Sequence, residues 1–197
     1  MTGNERSPYK GFKQQLCDFA QGQRGIRNPF VIAAVDPAME NRIATRLVEW
    51  SEGDEDPEIP DGVTVQPIWL DELLPRTDVY KLLVDLGEET SPEMTKSTMQ
   101  DTLAEELVQE ILENEAEGGF GEQSHVMLLL HLGSLYPFSR ASEILDELDR
   151  RNVKSTVGIP FPGNVDAGKL SFFGTDSRHY YPAHQIDRQI REVHLQR

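Results

Sequence analysis

The stretch "HVMLLLHL", residues 125–132, restricts the fold more than any other part of the chain. A strand with one face in water alternates apolar and polar residues. A strand that does not alternate must be covered on both faces, which is the condition of strands in a parallel sheet. "FVIAAV", between Pro29 and Pro37, has the same character, and "KSTVGIPF" supplies a further strand. Helical spacing fills the gaps. Phe12, Leu16 and Phe19 share one face; so do Met39, Ile43, Leu47 and Trp50; so do Met99, Leu103, Leu107 and Ile111. Ile144, Leu145 and Leu148 follow the apolar run, with Ser139 as the expected N-cap.

"VTVQPIWL" predicts an edge strand, because Pro67 cannot donate to a ladder on both sides. Residues 70–117 predict helix, broken near Pro75 and Pro92. "LSFF" and "YYPAHQI" are the last strand candidates. Strands alternating with helices predict an α/β fold: a three-layer sandwich with a mostly parallel central sheet flanked by helices, in a single domain over residues 1–197.

Charge narrows the function classes. The chain carries 19 Lys and Arg against 34 Asp and Glu, a net charge of −15. Such a surface repels phosphate backbones, so broad direct DNA binding is not expected, although Arg188, Arg191 and Arg197 form a local basic patch. The carboxylates are either a partner surface or an adaptation to high salt. Their spread along the chain favours the second reading, and with it a salt-loving source. Cys17 is the single cysteine, which excludes an internal disulfide and a multi-cysteine zinc site. The first residues lack an apolar signal core, and no apolar run approaches the ~20 residues that cross a bilayer; the expectation is a soluble, cytoplasmic protein with no membrane contact.

Several residue patterns imitate chemistry. Gly163, Gly168 and Lys169 have the G-x-x-x-x-G-K spacing of a phosphate loop. That motif needs a hydroxyl next, where Leu170 stands, and a helix behind the loop, where only "KLSFF" precedes Gly174. A turn joining two strands is the better reading. Asp36 ends a strand and begins a helix, a position that serves either a ligand site or a helix cap. His125 and His131 flank one strand six residues apart and are expected on the same side, as core or edge histidines. His179, His184 and His194 form no metal-ligand spacing, and Ser134 stands in no nucleophile elbow. Cys17 reads as a small core residue. No metal, cofactor or catalytic residue is expected. "LYPFSR", residues 135–140, puts Tyr136, Phe138 and Arg140 in a proline-bearing turn at the end of the most apolar strand. These residue types are enriched at binding hot spots, and the alternative is a loop packed on its own domain.

The blocks Gly133, Tyr136, Pro137, Phe138 and Arg140, then Phe161, Pro162 and Gly163, then Leu170, Phe172, Phe173 and Gly174, then Tyr180 and Tyr181, occur in order over residues 125–186. In this they resemble the BrxB family of BREX phage-defence systems. The resemblance implies a non-enzymatic adaptor or structural subunit, assembled with a phosphatase-like protein, a large ATPase and a DNA methyltransferase. Tyr136, Phe138, Arg140, Tyr180 and Tyr181 are then the expected partner-binding residues. The competing reading is a small enzyme or nucleotide-binding protein with a degenerate phosphate or metal site at Asp36 and the loop 163–169.

If the carboxylates are an adaptation to salt, removing salt unscreens their mutual repulsion. The melting temperature is then expected to rise steadily from low to molar KCl; a flat response would point to a local acidic docking surface.

Overall fold

The computed structural model describes residues 7–23, 28–87, 91–115, 122–166, 169–172 and 183–195. Five strands run parallel: β1 (Phe30–Val35), β2 (Thr64–Trp69), β3 (His125–Leu130), β4 (Thr156–Asp166) and β6 (His184–Ile190). Their order across the sheet is β2-β3-β4-β1-β6. A sixth strand, β5 (Lys169–Phe172), pairs antiparallel with the far half of β4. The expected mostly parallel α/β sheet is therefore present, and Pro67 lies on the edge strand β2.

All six residues of β1 and all six of β3 are buried. One parity of each strand faces one helical layer, and the other parity faces the second. Phe30, Ile32, Ala34, Met127, Leu129 and Ile159 meet helices α3 (Leu70–Leu73), α4 (Asp78–Leu86), α5 (Pro92–Glu110) and α6 (Ala141–Arg150). Val31, Ala33, Val35, Val126, Leu128 and Leu130 meet α1 (Pro8–Ala20) and α2 (Glu40–Ser51). Phe12, Leu16 and Phe19 all point inward, as their spacing predicts, and Cys17 is buried beside them. Ile43, Leu47 and Trp50 are buried too, whereas Met39 is only half-buried where it precedes α2. A Cβ at Gly158 would lie 2.9 Å from Leu16, so glycine lets α1 settle onto β4.

The phosphate-loop imitation resolves into a hairpin. Gly163 pairs with Phe172, and Asp166 with Lys169, across antiparallel strands. Gly163 is needed for close approach: a Cβ there would collide with the Ser171 carbonyl and lie 2.7 Å from the Phe161 ring. Lys169 opens strand β5, where a phosphate loop would have the first turn of a helix.

The acidic loop after α2 is fastened by a buried ion cluster. The Glu55 side chain is 5% accessible and that of Lys13 2%. The Glu55 carboxylate accepts from Lys13 Nζ at 2.8 Å, from Tyr9 Oη at 2.9 Å and from Arg46 Nε. Lys13 Nζ also sits 4.3 Å from the Tyr9 ring centroid. Trp50 Nε1 donates to the Pro57 carbonyl at 2.8 Å, and Arg46 Nη1 to the Leu195 carbonyl at 3.1 Å. One carboxylate thus ties α1, α2 and the acidic loop together. Glu55→Ala would leave the buried Lys13 ammonium without its carboxylate partner, a loss of about 3 kcal/mol. Urea denaturation is expected to register it, while Asp56→Ala, at an exposed position, shifts stability by less than about 0.5 kcal/mol.

Candidate functional site

Parallel strands bring all their carboxyl ends to one edge, where open α/β sheets hold ligands and partners. Asp36 follows β1. Its backbone N–H donates to the Ile190 carbonyl at 2.9 Å, and its carboxylate accepts from Ala38 N–H at 3.0 Å. This is a cap on the short turn Pro37–Met39, the structural one of its two expected roles. Glu40 opens α2 and reaches across the sheet end to accept from Gly133 N–H at 2.8 Å. Burial raises its pKa; the Gly133 hydrogen bond and nearby His131 oppose the rise, and Asp71 adds to it. A Cβ at Gly133 would collide with this carboxylate, so glycine is what lets Glu40 seat itself there.

His131 does not share a side with His125. The strand ends at Leu130, and His131 turns left-handed, with φ 59°. Its Nδ1 lies 3.0 Å from the Asp71 carboxylate, and its ring meets Trp69 edge-on at 4.6 Å. Trp69 packs with the α1–α2 side of the core. His125 keeps the parity of Met127 and Leu129 and is 5% exposed. It bridges Gln66, at 2.9 Å, and Ser155, at 3.1 Å, and burial lowers its pKa. His125 is thus a core histidine, as its residue pattern suggested. Among the described residues no group of three His, Cys, Asp or Glu could hold a metal ion.

The turn 133–140 stands beside this cluster. Leu132 and Leu135 are fully buried and root a short helical turn, Leu132–Leu135. Ser134 Oγ donates to the His131 carbonyl at 2.7 Å, which gives that hydroxyl a structural partner. Tyr136 emerges 41% exposed, joined to Pro137 by a cis peptide bond. Gln100 of α5 donates to the Pro137 carbonyl at 3.3 Å. Phe138 folds back and packs on the α3–α6 side of the core. The three residues expected at the docking turn therefore differ: Tyr136 is exposed, Arg140 half-buried, and Phe138 packs on its own domain.

The expected N-cap shifts by one residue. Helix α6 begins after Arg140, and its first turn is closed from within by Glu143. That carboxylate accepts from Arg140 N–H at 2.9 Å and from Ser139 Oγ at 3.2 Å. A glutamate reaching back to the N-cap N–H is the reciprocal half of a capping box, and Ser139 donates to it rather than capping the helix itself. Tyr180 and Tyr181 lie outside the described residues, as do His179 and Arg197.

Sequence spacing missed Glu40, Asp71 and Glu55. Glu40 and Gly133 stand 93 positions apart, and His131 and Asp71 60 apart, so no local pattern couples them. The only local signal was a glycine after an apolar run, which marks a close approach without saying what approaches.

The fold is that of an open, mostly parallel α/β sheet protein with an exposed tyrosine, Tyr136, on a turn beside its strand ends. The family model of BREX protein BrxB matches residues 64–186, and the chain belongs to that family, whose members are components of BREX phage defence. No curated protein and no solved structure matches it. The matched span holds β2 to the first residues of β6, including the turn 133–140 and the β4–β5 hairpin; α1, β1 and α2 precede it. Among the described residues no helix is long and apolar enough to cross a membrane.

Because the native fold holds the Glu40 proton more tightly than the unfolded chain does, stability falls as pH rises from the ordinary carboxylate value through the raised one. Glu40→Gln keeps an acceptor for Gly133 N–H and removes the charge. Its melting temperature is expected to match or exceed the parent's at neutral pH and to lose that downward slope. A steeper slope in the variant would show that Glu40 is stabilised in its charged form.

Proposed function

We propose that this chain is a non-enzymatic adaptor of a BREX phage-defence assembly, and that the turn Leu135–Arg140 is its docking surface. One observation carries the reading: Tyr136 is 41% exposed, while Leu132 and Leu135 beneath it are wholly buried. An exposed aromatic on a fixed root loses little freedom on binding, which is the property of a hot-spot anchor. Arg140 lies four residues on, half-buried, with a planar guanidinium suited to a partner carboxylate. Phe138 is the turn's internal brace. The chain's partners in this reading are the phosphatase-like protein, the large ATPase and the DNA methyltransferase of the system.

The enzyme alternative needs its site at Asp36 and the loop 163–169, where the described residues have structural roles. Asp36 caps a turn, Gly163 admits the neighbouring strand, and Lys169 is part of that strand. Titration with ATP and Mg²⁺ checks it independently; saturable binding that Lys169→Ala abolishes would restore it.

Tyr136→Ala and Arg140→Ala are each expected to reduce retention of the phosphatase-like partner at least about tenfold in pull-downs from the native host, with circular dichroism unchanged. The backbone cap of α6 survives Arg140→Ala, since Glu143 accepts from the main chain there. Phe138→Ala, by contrast, is expected to cost about 2–4 kcal/mol of stability. Folded Tyr136 and Arg140 variants that keep every partner would remove the turn from the interface.

A further inference from the structure

The described sheet ends on two strands, β2 and β6, and the two edges differ. In a parallel ladder the N–H and C=O of one residue point to the same neighbour, and alternate residues point to opposite sides. Thr64 N–H donates to the Ser124 carbonyl at 3.1 Å, so Thr64, Gln66 and Ile68 face β3, while Val65, Pro67 and Trp69 face outward. Pro67 has no N–H to offer, which interrupts that edge at its centre.

The β6 edge has no such block. Val157 N–H donates to the Pro29 carbonyl at 2.9 Å, which turns the odd-numbered residues of β1 toward β4 and the even-numbered ones toward β6. Asp36 N–H, donating to the Ile190 carbonyl at 2.9 Å, agrees. Ile32 pairs with Gln185, so His184 and Ile186 complete the ladder, and Gln185 turns its N–H and C=O away from the sheet. Asp187 follows at the same parity and opens a bulge: Ala33 pairs with Ile186 but Val35 with Ile190, and the strand bends there. Among the described residues neither Gln185 nor Asp187 has a hydrogen-bond partner beyond β1.

Helix α1 lies along this edge. Pro8, Gly11, Gln15 and Asp18 recur at the spacing of one helical stripe, and with Gln185 and Asp187 they line a cleft of about 310 Å³. The Phe19 ring meets that of His184 edge-on at 5.9 Å and fixes helix against strand. Gly11 leaves the helix surface bare: a Cβ there would meet nothing within 4 Å. Gln15 Nε2 is buried with no hydrogen-bond partner among the described residues, an arrangement that costs stability until an acceptor arrives. The Asp18 carboxylate accepts only from the neutral Gln14 amide, at 2.9 Å, and Asp187 has no ion pair among the described residues.

An outward main-chain donor and acceptor, an orphaned amide and two carboxylates without a cation together suit a polypeptide backbone with basic side chains. A second copy of this chain is the poorer occupant. It would bring a net charge of −15 against Asp18 and Asp187. We propose that β6 receives an extended, lysine- or arginine-bearing segment of a partner polypeptide as an added strand, seated between the Gln185 main chain and the Pro8–Asp18 stripe of α1. This surface is separate from the docking turn and does not depend on it.

The test is residue-resolved hydrogen–deuterium exchange on the full chain alone and within its native assembly. In the chain alone the Ile186 amide, bonded to β1, is expected to be slow and the neighbouring Gln185 amide fast. On assembly the Gln185 amide is expected to slow at least about tenfold. Gln185→Pro removes the outward N–H and leaves the β1 ladder its donors. Its circular dichroism is expected to be unchanged, with at least one component of the assembly retained at least about tenfold less in pull-downs from the native host. Should the variant unfold, exchange in the unsubstituted chain decides. The same exchange record reads residues 132–140 separately, so failure of one interface is distinguished from failure of the other. A Gln185 amide that is slow in the isolated monomer or fast in the assembly overturns the proposal, as does a folded Gln185→Pro chain that keeps every component. A dimer of the chain alone, seen by light scattering together with a slow Gln185 amide, overturns it in favour of self-association.

Discussion

Burial on both faces of β1 and β3 is the constraint on which the rest of the structure depends. Each strand has six residues and all of them are buried. Two helical layers are then obligatory, because either face left open would expose a continuous apolar surface. Helical crossovers between strands of one sheet make the strands parallel, and parallel strands bring their carboxyl ends to one edge. Asp36, Trp69, His131 and the turn 133–140 collect there for that reason, although they come from distant parts of the chain. Adjacency at the strand ends follows from covering the strands.

Local pattern was legible wherever a local cause sets the structure. The absence of alternation in "FVIAAV" and "HVMLLL" marks covered strands, Pro67 marks an edge, and a glycine shortly after "KLSFF" leaves no room for a helix after Lys169. Long-range pairing left no trace of this kind. Glu55 reads as one acid in an acidic loop, yet it accepts hydrogen bonds from Tyr9, Lys13 and Arg46. His131 defeats strand parity because its φ is positive, which period-two reasoning cannot anticipate. Phe138 resembled Tyr136 in the sequence and separates from it only when the turn's direction is known.

Two glycines of the matched span acquire steric reasons. Gly133 makes room for the Glu40 carboxylate and Gly163 for the Ser171 carbonyl. Glu40 precedes the matched span, so Gly133 inside it has a hydrogen-bond partner outside it. The strongly acidic composition is likewise uneven in space. Glu55 and Glu147 have buried side chains and act as structural ties, whereas Asp78 and Asp56 stand in water.

The central claim is that the protein meets its partner at the strand ends, through the turn held by Leu132 and Leu135. Hydrogen–deuterium exchange on the chain alone and within its native assembly measures this most directly, because it reads the surface without altering it. The account predicts slowed exchange in residues 132–140 on assembly, with the amides of β1 and β3 already protected in both states. Slowed exchange confined to α4 and the start of α5, where Leu82, Val84 and Met94 are exposed, would contradict it.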